Sequence, residues 1–167
     1  MTDFELKSLS KDALERAADK AERYRLLNEP AQAESICLDV LRADPEHQRT
    51  LVILILALTD QFVIGQSAAE KLKQARSYAK ELKDSYQNQY YTGIIAERQA
   101  RAFIARRAPR SHAYNAFRDA MEWYEKADSH HAAGDEDAIL RWNSCVRTIE
   151  RERLEPEEGD QEHNLQD

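Results

Sequence analysis

The sequence reads Leu-Val-Ile-Leu-Ile-Leu-Ala-Leu from Leu51 to Leu58, and this run is apolar on every side. A surface helix would carry polar residues on one face, and a half-buried strand would alternate polar with apolar residues. No turn signal follows as far as Phe62, and no second β-rich run exists to pair with a strand. The run therefore predicts a buried helix over about residues 48–62. It is too short for a bilayer span, which takes about twenty apolar residues.

The composition favours a single domain built from long helices. The chain has 167 residues, of which only four are Gly and four are Pro, while 33% are charged. The start, Met1 to Lys7, has neither an apolar signal core nor a basic leader, so we expect a cytoplasmic protein with no membrane segment. Cys37 and Cys145 stand in amphipathic helical patterns, which favours two buried thiols over a disulfide.

Apolar residues at steps of three and four predict six further helices, and helix-breaking residues set their ends. Ser10 is a candidate N-cap for the first helix, Pro30 can open the second, and Pro45 stops it. Leu27 and Ile139 are among the residues expected to face inward. The six helices are predicted over residues 11–28, 30–43, 66–83, 86–107, 111–132 and 135–151.

Acidic residues are concentrated at the end of the sequence. Six of the 31 acidic residues follow the last Arg with no Lys or Arg among them, which leaves 25 acids against 24 bases elsewhere. The six are Glu155, Glu157, Glu158, Asp160, Glu162 and Asp167. We therefore expect a leader over residues 1–10, a helical domain over 11–153 and a disordered acidic tail over 154–167. A solubilising tail is favoured over an interaction tail.

The first two predicted helices share a spacing of small and aromatic residues that resembles the tetratricopeptide repeat. It reads Ala17-x2-Lys20-Ala21-x2-Tyr24-x8-Ala33-x3-Cys37-x2-Val40-x4-Pro45. The family prefers Trp where Ala17 stands and Leu where Lys20 stands, so this is a degenerate repeat. Partial echoes follow in the next two helices and in Trp123-x3-Ala127-x2-His130 with Ala138-x3-Trp142-x2-Cys145. The resemblance implies an all-α fold of about seven helices, stacked as antiparallel hairpins in a right-handed solenoid.

The resemblance also implies a role, because such stacks bind peptides or partner helices on a concave face lined by the first helix of each hairpin. The expected function is therefore a protein-interaction scaffold whose partner is another protein. Val52 and Leu56 would form the apolar floor of the groove, although complete burial of both is an equal alternative. Helical phase, which also puts Ala18 and Thr59 on this side, places the candidate groove residues as Glu15, Glu22, Arg25, Arg49, Val52, Leu56 and Asp60.

An alternative partner is RNA or another polyanion, bound by arginines around the turn between the fifth and sixth predicted helices. The candidates are Arg98, Arg101, Arg106, Arg107 and Arg110, and Arg118 stands in the same predicted region. A solvated helix end is favoured over this reading, because the chain as a whole is acidic. We therefore do not expect nucleic-acid binding, and a homo-oligomer stays open.

No motif in the sequence indicates catalysis or a cofactor. His130 and His131 are adjacent, so they cannot form the i, i+4 pair that zinc sites use, and His130 is expected in the core or groove. A Gly-rich phosphate loop, a nucleophile elbow and a Cys-x-x-Cys pair are all lacking. The sequence therefore predicts a protein that is not an enzyme and has neither a metal nor a cofactor.

Overall fold

The computed structural model describes residues 3–63 and 67–158, and every regular element in these ranges is helical. The predicted all-α class is therefore confirmed. A short 3-10 turn over Lys11–Ala13 precedes the first helix. The seven α-helices of the described ranges are α1 (Leu14–Leu26), α2 (Pro30–Ala43), α3 (Gln48–Thr59), α4 (Ala68–Lys80), α5 (Ser85–Ala105), α6 (Arg110–Asp128) and α7 (Asp137–Glu152).

The apolar run at the centre of the sequence forms α3, as predicted, and α3 is the most buried helix. Leu54 and Ile55 are completely inaccessible to solvent. The side chain of His47 caps the start of the helix by accepting a hydrogen bond from the Thr50 N–H at 3.3 Å. The helix ends at Thr59 rather than at residue 62, because the chain turns there and packs the Phe62 ring into the core.

Several helix ends differ from the predictions. Ser10 makes no side-chain cap, and the chain enters α1 through the 3-10 turn instead. The sixth helix ends at Asp128, four residues early, because residues 129–134 are all exposed and no burial offsets the entropy of ordering them. The expectation that His130 lies in the core or groove is therefore wrong.

Two residues expected inside face solvent. Leu27 is 64% exposed because it lies at the C-cap of α1, where Asn28 adopts a left-handed conformation with φ of 61° and turns the chain away. Ile139 is 39% exposed in the first turn of α7, since Ala138 is the residue there that faces the core.

The helices enclose two clusters of buried side chains that share α5. The first cluster lies among α1 to α4 and includes Ile95 from α5, whereas the second lies among α5, α6 and α7 and includes the adjacent Ile94. Leu154, which the sequence assigned to the tail, is 7% exposed and belongs to the second cluster. The predicted tail from residue 159 onwards lies outside the described residues.

Each helix packs against the next one along the chain, and α3 also contacts both α1 and α5. The predicted burial of Cys37 and Cys145 as free thiols is confirmed. Among the helices that the structure describes, none combines the length and apolar content that a bilayer span requires.

Candidate partner-binding face

Side chains of α1, α3, α5 and α7 contact one another in that order across one surface. Glu15 near the start of α1 meets Arg49 near the start of α3, and Arg25 near the end of α1 meets Asp60 at the end of α3. Residue numbers rise together in both helices, so α1 and α3 run parallel. We call the surface formed by these four helices the odd-helix face.

The same parallel relation holds between α5 and α7. Glu97 lies 3.5 Å from an Arg141 guanidinium nitrogen, and one turn further along both helices the Arg101 guanidinium donates to Ser144 Oγ at 3.2 Å. Asp60 joins the two pairs of helices, because it also accepts a hydrogen bond from Arg98 of α5. Polar contacts therefore connect each of these four helices to the next, from α1 to α7.

The end of the odd-helix face near the helix N-termini is acidic. Arg49 is surrounded by three carboxylates of α1, with nitrogen to oxygen distances of 2.7 Å to Asp19, 2.9 Å to Glu22 and 3.4 Å to Glu15. Hydrogen bonds from Asp19 and Glu22 raise the pKa of Arg49. The guanidinium side chain is 41% exposed and the three carboxylates more so, which leaves them accessible to a ligand.

The end near the helix C-termini is basic and concave. The Asp60 carboxylate lies between two guanidinium groups, with Arg25 Nε 2.8 Å away on one side and Arg98 bonded on the other. A depression of about 390 Å³ opens beside this ion triad. We call it the basic depression; its lining is Arg25, Leu26, Asn28, Thr59, Asp60, Val63, Arg98 and Arg101.

A buried carboxylate supports the α5 and α7 part of the face. Glu97 is 1% exposed and accepts hydrogen bonds from Arg101 at 2.7 and 3.0 Å and from the Tyr124 hydroxyl at 2.6 Å. Burial and the neighbouring Glu97 raise the pKa of Tyr124, so the hydroxyl stays protonated and donates. Buried carboxylates need such partners, because an unpaired buried charge is strongly destabilising.

Glu97 is a site residue that was not predicted from the sequence. The available signal was a single acidic residue directly after the run Gly93-Ile94-Ile95-Ala96, which is buried throughout. Packing explains why a glycine stands at position 93, because a Cβ atom there would lie 2.7 Å from the Tyr124 ring. The glycine therefore allows the ring to lie against the α5 backbone and to reach Glu97.

The predicted groove residues occupy the odd-helix face, with differences in burial. Val52 and Leu56 are each half-buried, Val52 packing on the first cluster and Leu56 on the second. Ala18 and Thr59, also expected on this side, are buried between the helices and are not available to a partner.

The arginines predicted as an alternative patch are not gathered in one place. Arg98 and Arg101 belong to the odd-helix face, whereas the Arg106 guanidinium binds the carbonyl oxygen of Phe62. The other two lie at the turn between α5 and α6, namely Arg107 with φ of 55° and Arg110, which lies 3.5 Å from the Arg153 carbonyl.

No protein-family profile matches this chain, and neither a curated protein nor a solved structure resembles it significantly. Within residues 3–63 and 67–158, no group of three or more His, Cys, Asp or Glu side chains is arranged to hold a metal ion. The odd-helix face presents paired charges beside two half-buried aliphatic side chains.

Proposed function

We propose that this protein is a non-enzymatic protein-interaction module that binds an extended peptide or a partner helix on the odd-helix face. The proposal rests mainly on the accessible positive and negative side chains that surround Val52 and Leu56. An apolar centre with a polar rim is the usual composition of a protein interface. Charges of opposite sign at the two ends would also fix the direction in which a peptide binds.

We further propose that the helices form a right-handed tetratricopeptide-like stack of antiparallel hairpins. In support, α1 packs on α2, α3 on α4 and α5 on α6, and the first helices of these pairs contact one another. The contacts of Arg141 and Ser144 with α5 support α7 as the first helix of a fourth hairpin. In such a stack the first helices form the concave side, where an elongated ligand gains the largest contact area.

An RNA-binding role has weaker support. Phosphate binding uses several guanidinium groups gathered on one surface. Arg98 and Arg101 instead lie on the odd-helix face, whereas Arg106 binds the Phe62 carbonyl and Arg107 and Arg110 lie at the turn between α5 and α6.

The proposal is tested by selecting random peptides from a display library on the full-length protein and measuring the affinity of purified peptides by fluorescence polarisation. We expect the selected peptides to lose at least about tenfold in affinity, or about 1.4 kcal/mol, on Arg49→Glu or Arg98→Glu. Arg118→Glu, an exposed arginine on α6, is the matched control and should leave affinity unchanged.

Circular dichroism and urea unfolding of each variant separate loss of binding from loss of fold. A library that yields no binding peptide would contradict the proposal. Peptides that bind all three variants as tightly as the unsubstituted protein would do the same.

A further inference from the structure

The basic depression has an excess of positive charge. Arg25, Arg98 and Arg101 line it, and Asp60 is the one carboxylate among the described residues of its lining. Two aliphatic side chains at the same depression are unusually accessible, since Leu26 is 74% exposed and Val63 is 53% exposed. Guanidinium groups beside accessible aliphatic groups suit a segment that combines carboxylates with a leucine-like side chain.

The end of α7 lies close to this depression. Leu154 and Ile104 line one cavity at the C-terminal end of α5, and Ile104 is one turn beyond Arg101, which is about 4.5 Å along the helix axis. Arg101 in turn lines the basic depression. Because α5 and α7 run parallel, the chain leaves α7 at the C-terminal end of α5, beside Arg107 and Arg110 and at the same end of the helices as the basic depression.

The residues that follow have the complementary composition. Residues 159–167 contain three carboxylate side chains, those of Asp160, Glu162 and Asp167, with no Lys or Arg, and they include Leu165. Nine residues, the number from 159 to 167, can span at most about 30 Å, whereas packed helices lie about 10 Å apart. The segment is therefore long enough to cross from α7 to the basic depression.

We infer that the basic depression is a binding site for an acidic segment, and that residues 159–167 of this chain occupy it. The inference rests on the proposed function, because it concerns the same face. The carboxylates would pair with Arg25, Arg98 and Arg101, and Leu165 would contact Leu26 and Val63. Helix C-termini carry partial negative charge, so the arginines must supply the attraction.

Covalent connection gives the segment an advantage over a separate ligand. A short flexible linker holds a tethered ligand at an effective concentration of the order of millimolar. An acidic peptide from a partner must displace the segment before it can bind. The segment therefore raises the partner concentration that is needed for binding. Salt weakens the contact, because the Debye length falls from about 10 Å at 0.1 M to about 3 Å at 1 M.

Paramagnetic relaxation enhancement in the full-length protein tests the inference. A nitroxide spin label is attached at Asn164→Cys, and the native Cys37 and Cys145 are buried and do not compete for it. At 20 mM salt we expect the label to broaden the amide signals of Leu26, Val63 and Arg98 more than those of α2 and α4. At 1 M salt the broadening should disappear.

Two variants give the comparison. Asp160→Asn combined with Glu162→Gln removes two carboxylates of the acidic segment and should restore the broadened signals at low salt. Arg118→Glu should leave the broadening unchanged. Broadening that is equal on all faces, or that persists at 1 M salt, overturns the inference. If display-selected peptides bind the odd-helix face while the label broadens none of these signals, the inference fails and the proposed function stands.

Discussion

The Tyr124 hydroxyl donates a 2.6 Å hydrogen bond to Glu97 Oε2 and so connects α6 to α5 inside the second buried cluster. The other carboxylate oxygen of Glu97 accepts from Arg101, whose side chain is 38% exposed on the odd-helix face. One buried residue thereby links the packing of the α5 and α6 hairpin to the position of a guanidinium group that a partner can reach.

Tyr124→Phe should lower the free energy of unfolding by about 1–3 kcal/mol, because it removes a hydrogen bond to a buried carboxylate while keeping the ring. The measurement is urea unfolding followed by circular dichroism. Tyr114→Phe, also on α6, is the matched control, since the Tyr114 hydroxyl has no hydrogen-bond partner within residues 3–63 and 67–158. Equal stability of Tyr124→Phe and the unsubstituted protein would show that the bond to Glu97 contributes nothing.

Gly93→Ala should also destabilise the protein, although alanine is the better helix former by about 1 kcal/mol. The new methyl group would lie 2.7 Å from Tyr124 Cε1, and the forced displacement of a buried ring costs about 1–3 kcal/mol or more. Combining it with Tyr124→Leu should make the two effects non-additive, since the smaller side chain leaves room for the methyl group. A stabilised Gly93→Ala variant would contradict this packing.

Short-range sequence patterns were sufficient to predict much of the fold. The second helix was predicted at Pro30–Ala43 and begins and ends there, because Pro30 opens it and Asp44-Pro45 stops it without help from the rest of the chain. The burial of α3 also followed from composition alone.

The parts that sequence reasoning missed depend on contacts between distant residues. Glu97 is buried because Tyr124, 27 positions away, and Arg141 supply its partners. Leu154 is buried because Arg153 adopts a left-handed conformation with φ of 50° and turns the chain back onto α5 and α6. Neither arrangement leaves a periodic pattern in the sequence.

The position of Leu154 leads to a prediction about where the folded part ends. Leu154→Ala should lower the free energy of unfolding by about 2–3 kcal/mol. Removal of residues 159–167 should lower the thermal midpoint only slightly at physiological salt, because a contact that salt weakens adds little to the stability of the fold. Leu140→Ala, at a residue 63% exposed on α7, is the control and should have little effect. A large loss of thermal stability on removal of residues 159–167 would mean that they are part of the packed structure.

Both cysteines should be inert in the folded protein. Burial raises the pKa of the Cys37 thiol and that of the Cys145 thiol to about 12, with nearby Glu34 and Glu97 acting in the same direction. Both thiols are therefore almost fully protonated at pH 8, and the thiolate is the form that reacts. Iodoacetamide at pH 8 should modify neither residue until urea unfolds the chain, as measured by mass spectrometry. Fast modification of either thiol under native conditions would contradict its burial.

The central claim is that the odd-helix face binds peptides, and nuclear magnetic resonance of the labelled protein with a display-selected peptide tests it most directly. We predict that the amide shifts that change on titration belong to residues around Arg25, Arg49, Val52, Asp60 and Arg98, on the first helices of the hairpins. Shifts confined to α2, α4 and α6 would place the binding surface on the opposite side and contradict the claim.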